Sequence, residues 1–219
     1  MTKTGTVTFL TLLILIVGSC RKELGVYLLN EMKNENPYTG YETLTYLSSN
    51  ADTITLRGNG RFTEEFHSDH DGTADDKYYV NELDKCSFTE ENENYELLIQ
   101  LASRTLNTHQ GAQSKVLTSY LLDISFNDVS ASVSGSCRSL TSNIKLPISS
   151  FANSNNYYDS IPVNGKYYHD VIVLGTDYYS DYCSENMQTD SIYYCSSHGI
   201  IKLVFLNNEV WELESIELD

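Results

Sequence analysis

From residue 38 onward, apolar positions recur at every second residue. Val116, Thr118, Tyr120, Leu122, Ile124 and Phe126 share one face of an extended chain. Tyr95, Leu97, Ile99 and Leu101 do the same, and Leu44, Tyr46, Ile54 and Leu56 alternate with threonines. Successive side chains of a strand point to opposite faces, so this period predicts half-buried strands. Asn164-Gly165 separates two such runs, 160–163 and 166–174. Both residues tolerate positive φ, which predicts a tight type I′ hairpin. Asn207-Asn208 predicts another between 200–206 and 209–213. Roughly ten strands with mostly short turns imply a mainly β chain: a single antiparallel domain over 38–219, either a sandwich or a half-open barrel.

The first 37 residues follow a different pattern. Lys3 precedes an apolar run from Phe9 to Val17. That run is too short to cross a hydrocarbon core, which needs roughly 20 helical residues, so 1–19 reads as a signal peptide. Leu24, Leu28 and Met32 lie four apart, one helical stripe, and Pro37 ends it. Residues 20–37 are therefore expected to form a tether with a short helix.

Charge narrows the function classes. Thirty acidic and 14 basic side chains give a net charge of −16, which excludes a general nucleic-acid binder. A hydrophobic content of 41% excludes a polytopic membrane protein. Residues 64–96 carry twelve acids and two lysines, so polyanions are repelled there. Within this stretch, Asp69, Asp71, Asp75 and Asp76 surround Gly72 and resemble part of a calcium loop. Calcium wants six to eight oxygens, but the complete Asp-x-Asp-x-Asp-Gly spacing and the bidentate Glu are missing. His67 and His70, with Asp69 or Asp71, form an alternative set for a transition metal. The plain alternative is an acidic loop that keeps the chain soluble. No other cofactor is expected.

Seventeen tyrosines suit a pleated surface, and many are adjacent: Tyr78-Tyr79, Tyr157-Tyr158, Tyr167-Tyr168, Tyr178-Tyr179 and Tyr193-Tyr194. Each pair puts one ring on each sheet face. The outward rings, with Tyr182, either form an aromatic platform for sugars or simply pack between strands. Gly-x-Ser-x-Gly, His-Glu-x-x-His and a phosphate-cradling glycine loop are all absent from the sequence. An enzyme is not expected. A hydrolase would need a carboxylate pair that nothing in the pattern singles out.

Val17-Gly18-Ser19-Cys20 resembles the bacterial lipobox. The resemblance implies cleavage before Cys20, a diacylglycerol on its sulfur and attachment to a membrane through the acyl chains. Arg21 follows where an aspartate would mark inner-membrane retention, so the resemblance points to the outer membrane, with its periplasmic or surface side open. Four cysteines then remain: Cys86, Cys137, Cys183 and Cys195. An even number in an exported chain suggests disulfides. Cys183–Cys195 would close a short polar loop and leave Cys86–Cys137; reduced cysteines are the alternative. Without Cys-x-x-Cys, zinc is not expected.

Val163-Asn164-Gly165-Lys166-Tyr167-Tyr168-His169-Asp170-Val171, then Ile192-Tyr193-Tyr194, Gly199-Ile200-Ile201-Lys202 and Val210-Trp211-Glu212-Leu213, resemble outer-membrane lipoproteins of the Bacteroidetes that carry no assigned activity. Two kinds of binding module fit these readings. A carrier would hold a small apolar ligand in a concavity lined by Leu97, Ile99, Leu122 and Ile124. A surface module would bind a glycan or an envelope protein through tyrosine-rich loops around 178–182, over a filled core.

Overall fold

Alternation in sequence becomes alternation in burial. In the strand Glu42–Ser48, residues 42, 44, 46 and 48 are buried and those between them half-buried. The computed structural model describes residues 21–69, 77–92, 94–110, 113–128, 137–178 and 188–218. In chain order the strands are β1 (Lys22–Tyr27), β2 (Glu42–Ser48), β3 (Thr53–Asp69), β4 (Lys77–Glu90), β5 (Tyr95–Gln110), β6 (Gln113–Asp128), β7 (Cys137–Lys145), β8 (Tyr157–Val163), β9 (Lys166–Gly175), β10 (Asp177–Tyr178), β11 (Thr189–Cys195), β12 (Gly199–Phe205) and β13 (Val210–Leu218). They form one sheet in the order β10-β7-β6-β5-β4-β3-β2-β13-β12-β11-β9-β8. Only β1 stands off this path, paired parallel to β4.

The strand order dictates the shape. β10 follows β9 after the single residue Thr176, yet the two lie near opposite ends of the path. Gly175 and Asp177 are two residue steps apart, at most about 7 Å, so those ends must approach each other. The antiparallel sheet therefore curls into a half-barrel, the second of the two expected forms. A hydrogen bond from Thr189 N in β11 to Ser139 Oγ in β7, 3.1 Å, ties the same ends. β8 remains an edge, and among the described residues it pairs with β9 alone. Pro162 lies on it, a residue with no N–H to offer a further strand.

Inward side chains fill the curl. Trp211 packs against Tyr95, Phe126 and Phe205 with ring centroids 4.8–5.5 Å apart. Edge-to-face and tilted contacts of this kind add to area burial. Leu97, Ile99, Leu122 and Ile124 have no accessible surface, internal or external.

Residues 21–37 depart from the expected helical tether. Lys22–Tyr27 is a strand, and among the described residues the only helical element before β2 is a 3-10 turn, Asn30–Glu35. The reason is an open edge. β5 follows β4 only as far as Ala102 opposite Leu83, after which the first half of β4 needs another partner. Backbone groups in a sheet seek partners, and β1 supplies them along 77–81. Ser103 sits at the fork, its Oγ accepting from Glu82 N (2.8 Å) and donating to the Tyr27 carbonyl (2.6 Å).

Beyond β1 the chain is a strap held by buried charge. Glu82 accepts from Leu29 N (2.8 Å) and Lys33 Nζ (2.7 Å). Arg61 pairs with Asp84 (2.8 Å) and donates to the carbonyls of Lys33, Asn36 and Tyr38 at 2.7–3.2 Å. Glu42 receives Thr39 N, Thr39 Oγ1 and Gly40 N. Burial alone would raise its pKa; these hydrogen bonds outweigh it and hold the carboxyl below its usual range.

The hairpins form where Asn marks them. Asn164 and Gly165 both have positive φ, +46° and +74°, as a type I′ turn requires. At Asn207-Asn208 only Asn208 is left-handed (φ +68°), and Phe205 N donates to Glu209 O (2.9 Å). That is a three-residue loop ending in a left-handed residue, not the tighter turn.

Candidate functional site

The β8–β9 hairpin carries the most exposed aromatic ring among the described residues. Its register sets Pro162 opposite Tyr167, Ile161 opposite Tyr168, and Ser160 opposite His169. Period two sends alternate residues to opposite faces. Val163, Tyr168 and Ile172 point inward and are buried. Tyr167 and Tyr158 point outward, 72% and 46% exposed. The adjacent-tyrosine expectation holds for three pairs: Tyr79, Tyr168 and Tyr194 are buried, while their neighbours Tyr78, Tyr167 and Tyr193 keep surface; in Tyr157-Tyr158 neither ring is buried.

Beside Tyr167 lies a shallow pocket of about 280 Å³, walled by Lys166, Tyr168, His198 and residues 213–216. The hairpin tip is pinned to β13: Lys166 Nζ donates to Glu214 O (2.6 Å) and Asn164 N to Glu212 Oε2 (3.2 Å). Tyr168 meets the His198 ring edge-on at 5.0 Å, and burial raises its phenol pKa. Tyr157 donates to the Asp170 carboxylate, and that bond pushes its pKa up to about 12. Both phenols therefore stay neutral donors at physiological pH. An aromatic face beside hydroxyl, imidazole, amine and carboxylate groups can stack on an apolar sugar face and take its hydroxyls. His198 and Glu214 had no sequence signal, because they reach the pocket from a turn and a strand far from Lys166 in the chain.

Other expected sites fare differently. Of the four calcium-loop aspartates only Asp69 is described, and it pairs with Arg21. Asp71, Asp75, Asp76 and His70 lie outside the described residues, and His67 packs tilted against the Tyr78 ring, centroids 4.3 Å apart. Among the described residues no three His, Cys, Asp or Glu side chains are grouped to hold a metal. Cys20, Cys183, Tyr179 and Tyr182 also lie outside them, as do the side chains of Cys137 and Tyr178. Among the described residues no helix is long and apolar enough to cross a membrane.

The expected disulfides are corrected for the two cysteines whose side chains are described: Cys86 and Cys195 are free and buried. Cys86 lies opposite Ile99, Ile99 opposite Ile124, and Ile124 opposite Thr141. Two strands thus separate Cys86 from β7, about 14 Å at ordinary strand spacing, so it cannot reach Cys137. Its sulfur instead accepts from Asn36 Nδ2 at 3.4 Å. Burial pushes the Cys86 thiol up to about 11, against the opposing pull of Asn36 and Arg61, and burial also raises that of Cys195. A thiol alkylates through its thiolate, so neither should react with iodoacetamide at pH 8 in the native state. Both should react after denaturation without reductant, read as two mass increments on their peptides. Cysteines silent in both states would restore the bridges.

Comparison with protein families, curated proteins and solved structures finds no match, so the site rests on its own geometry.

Proposed function

We propose that this chain is a non-enzymatic, lipid-anchored module of the bacterial outer envelope that binds a glycan at the tip of the β8–β9 hairpin, on Tyr167 and the pocket beside it. The anchor rests on the lipobox at Cys20. Tyr167 carries the binding reading: it is 72% exposed beside a pocket rich in hydrogen-bonding groups, on a hairpin whose other face is locked into the core. A large ring held open to water on a rigid scaffold is ready to stack without ordering cost. The carrier reading loses its binding wall, because Leu97, Ile99, Leu122 and Ile124 have no surface left for a ligand.

The test is affinity electrophoresis of residues 21–219 against a panel of neutral and charged polysaccharides. Retardation by at least one is expected. Tyr167→Ala should weaken it about tenfold, the loss of roughly 1.4 kcal/mol, and Tyr167→Phe should largely keep it. The unfolding midpoint should not move, since the ring is exposed. Mobility unaffected by every polysaccharide, or equal retardation of Tyr167→Ala, rejects the reading.

A further inference from the structure

We infer that the arm formed by the far part of β3, the first part of β4 and β1 is the face of this domain that lies on the bilayer. The inference rests on the anchor reading above and adds an orientation to it. A lipoprotein is usually pictured on a leash, free to turn. Here no leash remains. Cys20 directly precedes Arg21, which pairs with Asp69 and lies over the Tyr78 ring at 5.3 Å. Lys22 is already in the ladder, opposite Lys77. Two residues reach at most about 7 Å, so acyl chains on Cys20 emerge at the end of this arm.

The arm also carries the apolar surface such a contact needs. Leu24 and Val26 of β1 are 36% and 50% exposed on a strand that, among the described residues, pairs only with β4. Val26 sits opposite Val80, which sits opposite His67 near the far end of β3. The other end of β3, at Thr53, neighbours β2, then β13 and its turn with Leu206. Seventeen residues of β3 separate the two ends. Glu64, Glu65 and Asp69 lie on the far part of β3, so the surface the arm rests on is a zwitterionic one; an anionic leaflet would repel it.

The test uses the acylated chain, purified from membranes and reconstituted in phosphatidylethanolamine–phosphatidylcholine vesicles carrying doxyl-labelled lipid. Val26→Trp and Leu206→Trp are compared, with the unsubstituted protein, whose one tryptophan Trp211 is buried, as background. Quenching at residue 26 at least twofold above that at residue 206 supports the orientation. Equal quenching, stronger quenching at residue 206, or none at either overturns it while leaving the anchor intact. Shielding of residue 26 by self-association in vesicle-free detergent also overturns it, assigning the face to a second copy. A mature chain without the diacylglyceryl mass removes the anchor reading and the orientation together.

Discussion

Arg61→Ala is expected to lower the unfolding free energy by about 3 kcal/mol, the low end of what breaking a buried ion pair costs. Its partner Asp84 is 1% exposed, so the substitution strands a carboxylate in the interior. Arg61 itself keeps 22% of its side-chain surface, which is why the low end applies. Three strap carbonyls, those of Lys33, Asn36 and Tyr38, lose their donor at the same time. The damage should therefore be local as well as global. Urea unfolding followed by Trp211 fluorescence reads the first, and hydrogen exchange of amides 29–40 reads the second. A loss below about 1 kcal/mol with unchanged exchange would mean the guanidinium is not what holds the strap.

Gly199→Ala is expected to cost about 3 kcal/mol, while Gly165→Ala costs about 1 kcal/mol. Both glycines have φ near +74°, so both substitutions carry the left-handed penalty of an L-residue, about 1–2 kcal/mol. They differ in surroundings. A Cβ at 165 meets nothing within 4 Å, whereas one at 199 falls 2.3 Å from the Tyr38 ring. Tyr38 cannot yield cheaply: its hydroxyl accepts from Ile200 N (2.9 Å), its ring packs on Phe88 (4.9 Å) and its carbonyl holds Arg61. Overpacking of this kind adds about 1–3 kcal/mol. The difference between the two variants in urea isolates the steric part. Equal losses would show that the ring moves freely and that only backbone strain matters.

Where one sheet face is buried, the strands were legible. β2, β5 and β6 announce themselves by alternation because core packing selects every second residue. Tyr78-Tyr79, Tyr167-Tyr168 and Tyr193-Tyr194 were legible for the same reason, one ring in and one out. β3 was not. Its first residues alternate, but it continues through Arg61-Phe62-Thr63-Glu64-Glu65 to Asp69, where β3 keeps surface on both faces and no pattern is imposed. β1 was misread as helical because Leu24, Leu28 and Met32 lie four apart; its strand form answers to an open edge on β4 that no local pattern reveals. The cysteines failed differently. Which thiols meet depends on which strands are neighbours, and β5 and β6 come between Cys86 and Cys137. Filled core and hollow carrier also share one alternation, so only burial separates them. The candidate hairpin was half legible: Asn164-Gly165 and Tyr167-Tyr168 stood out, but the pocket wall from β13 did not.

The last strand of the chain, β13, is not at an edge of the sheet but in its middle, between β2 and β12. Until it arrives, β2 and β12 each hold out an unpaired edge, and the two half-sheets lack the ladder that joins them at the centre. Pairings of such long sequence separation form slowly. This fold therefore cannot close at its centre until Val210–Leu218 has been delivered. Any form that lacks β13 has its centre missing and holds out two edges open to edge-to-edge pairing.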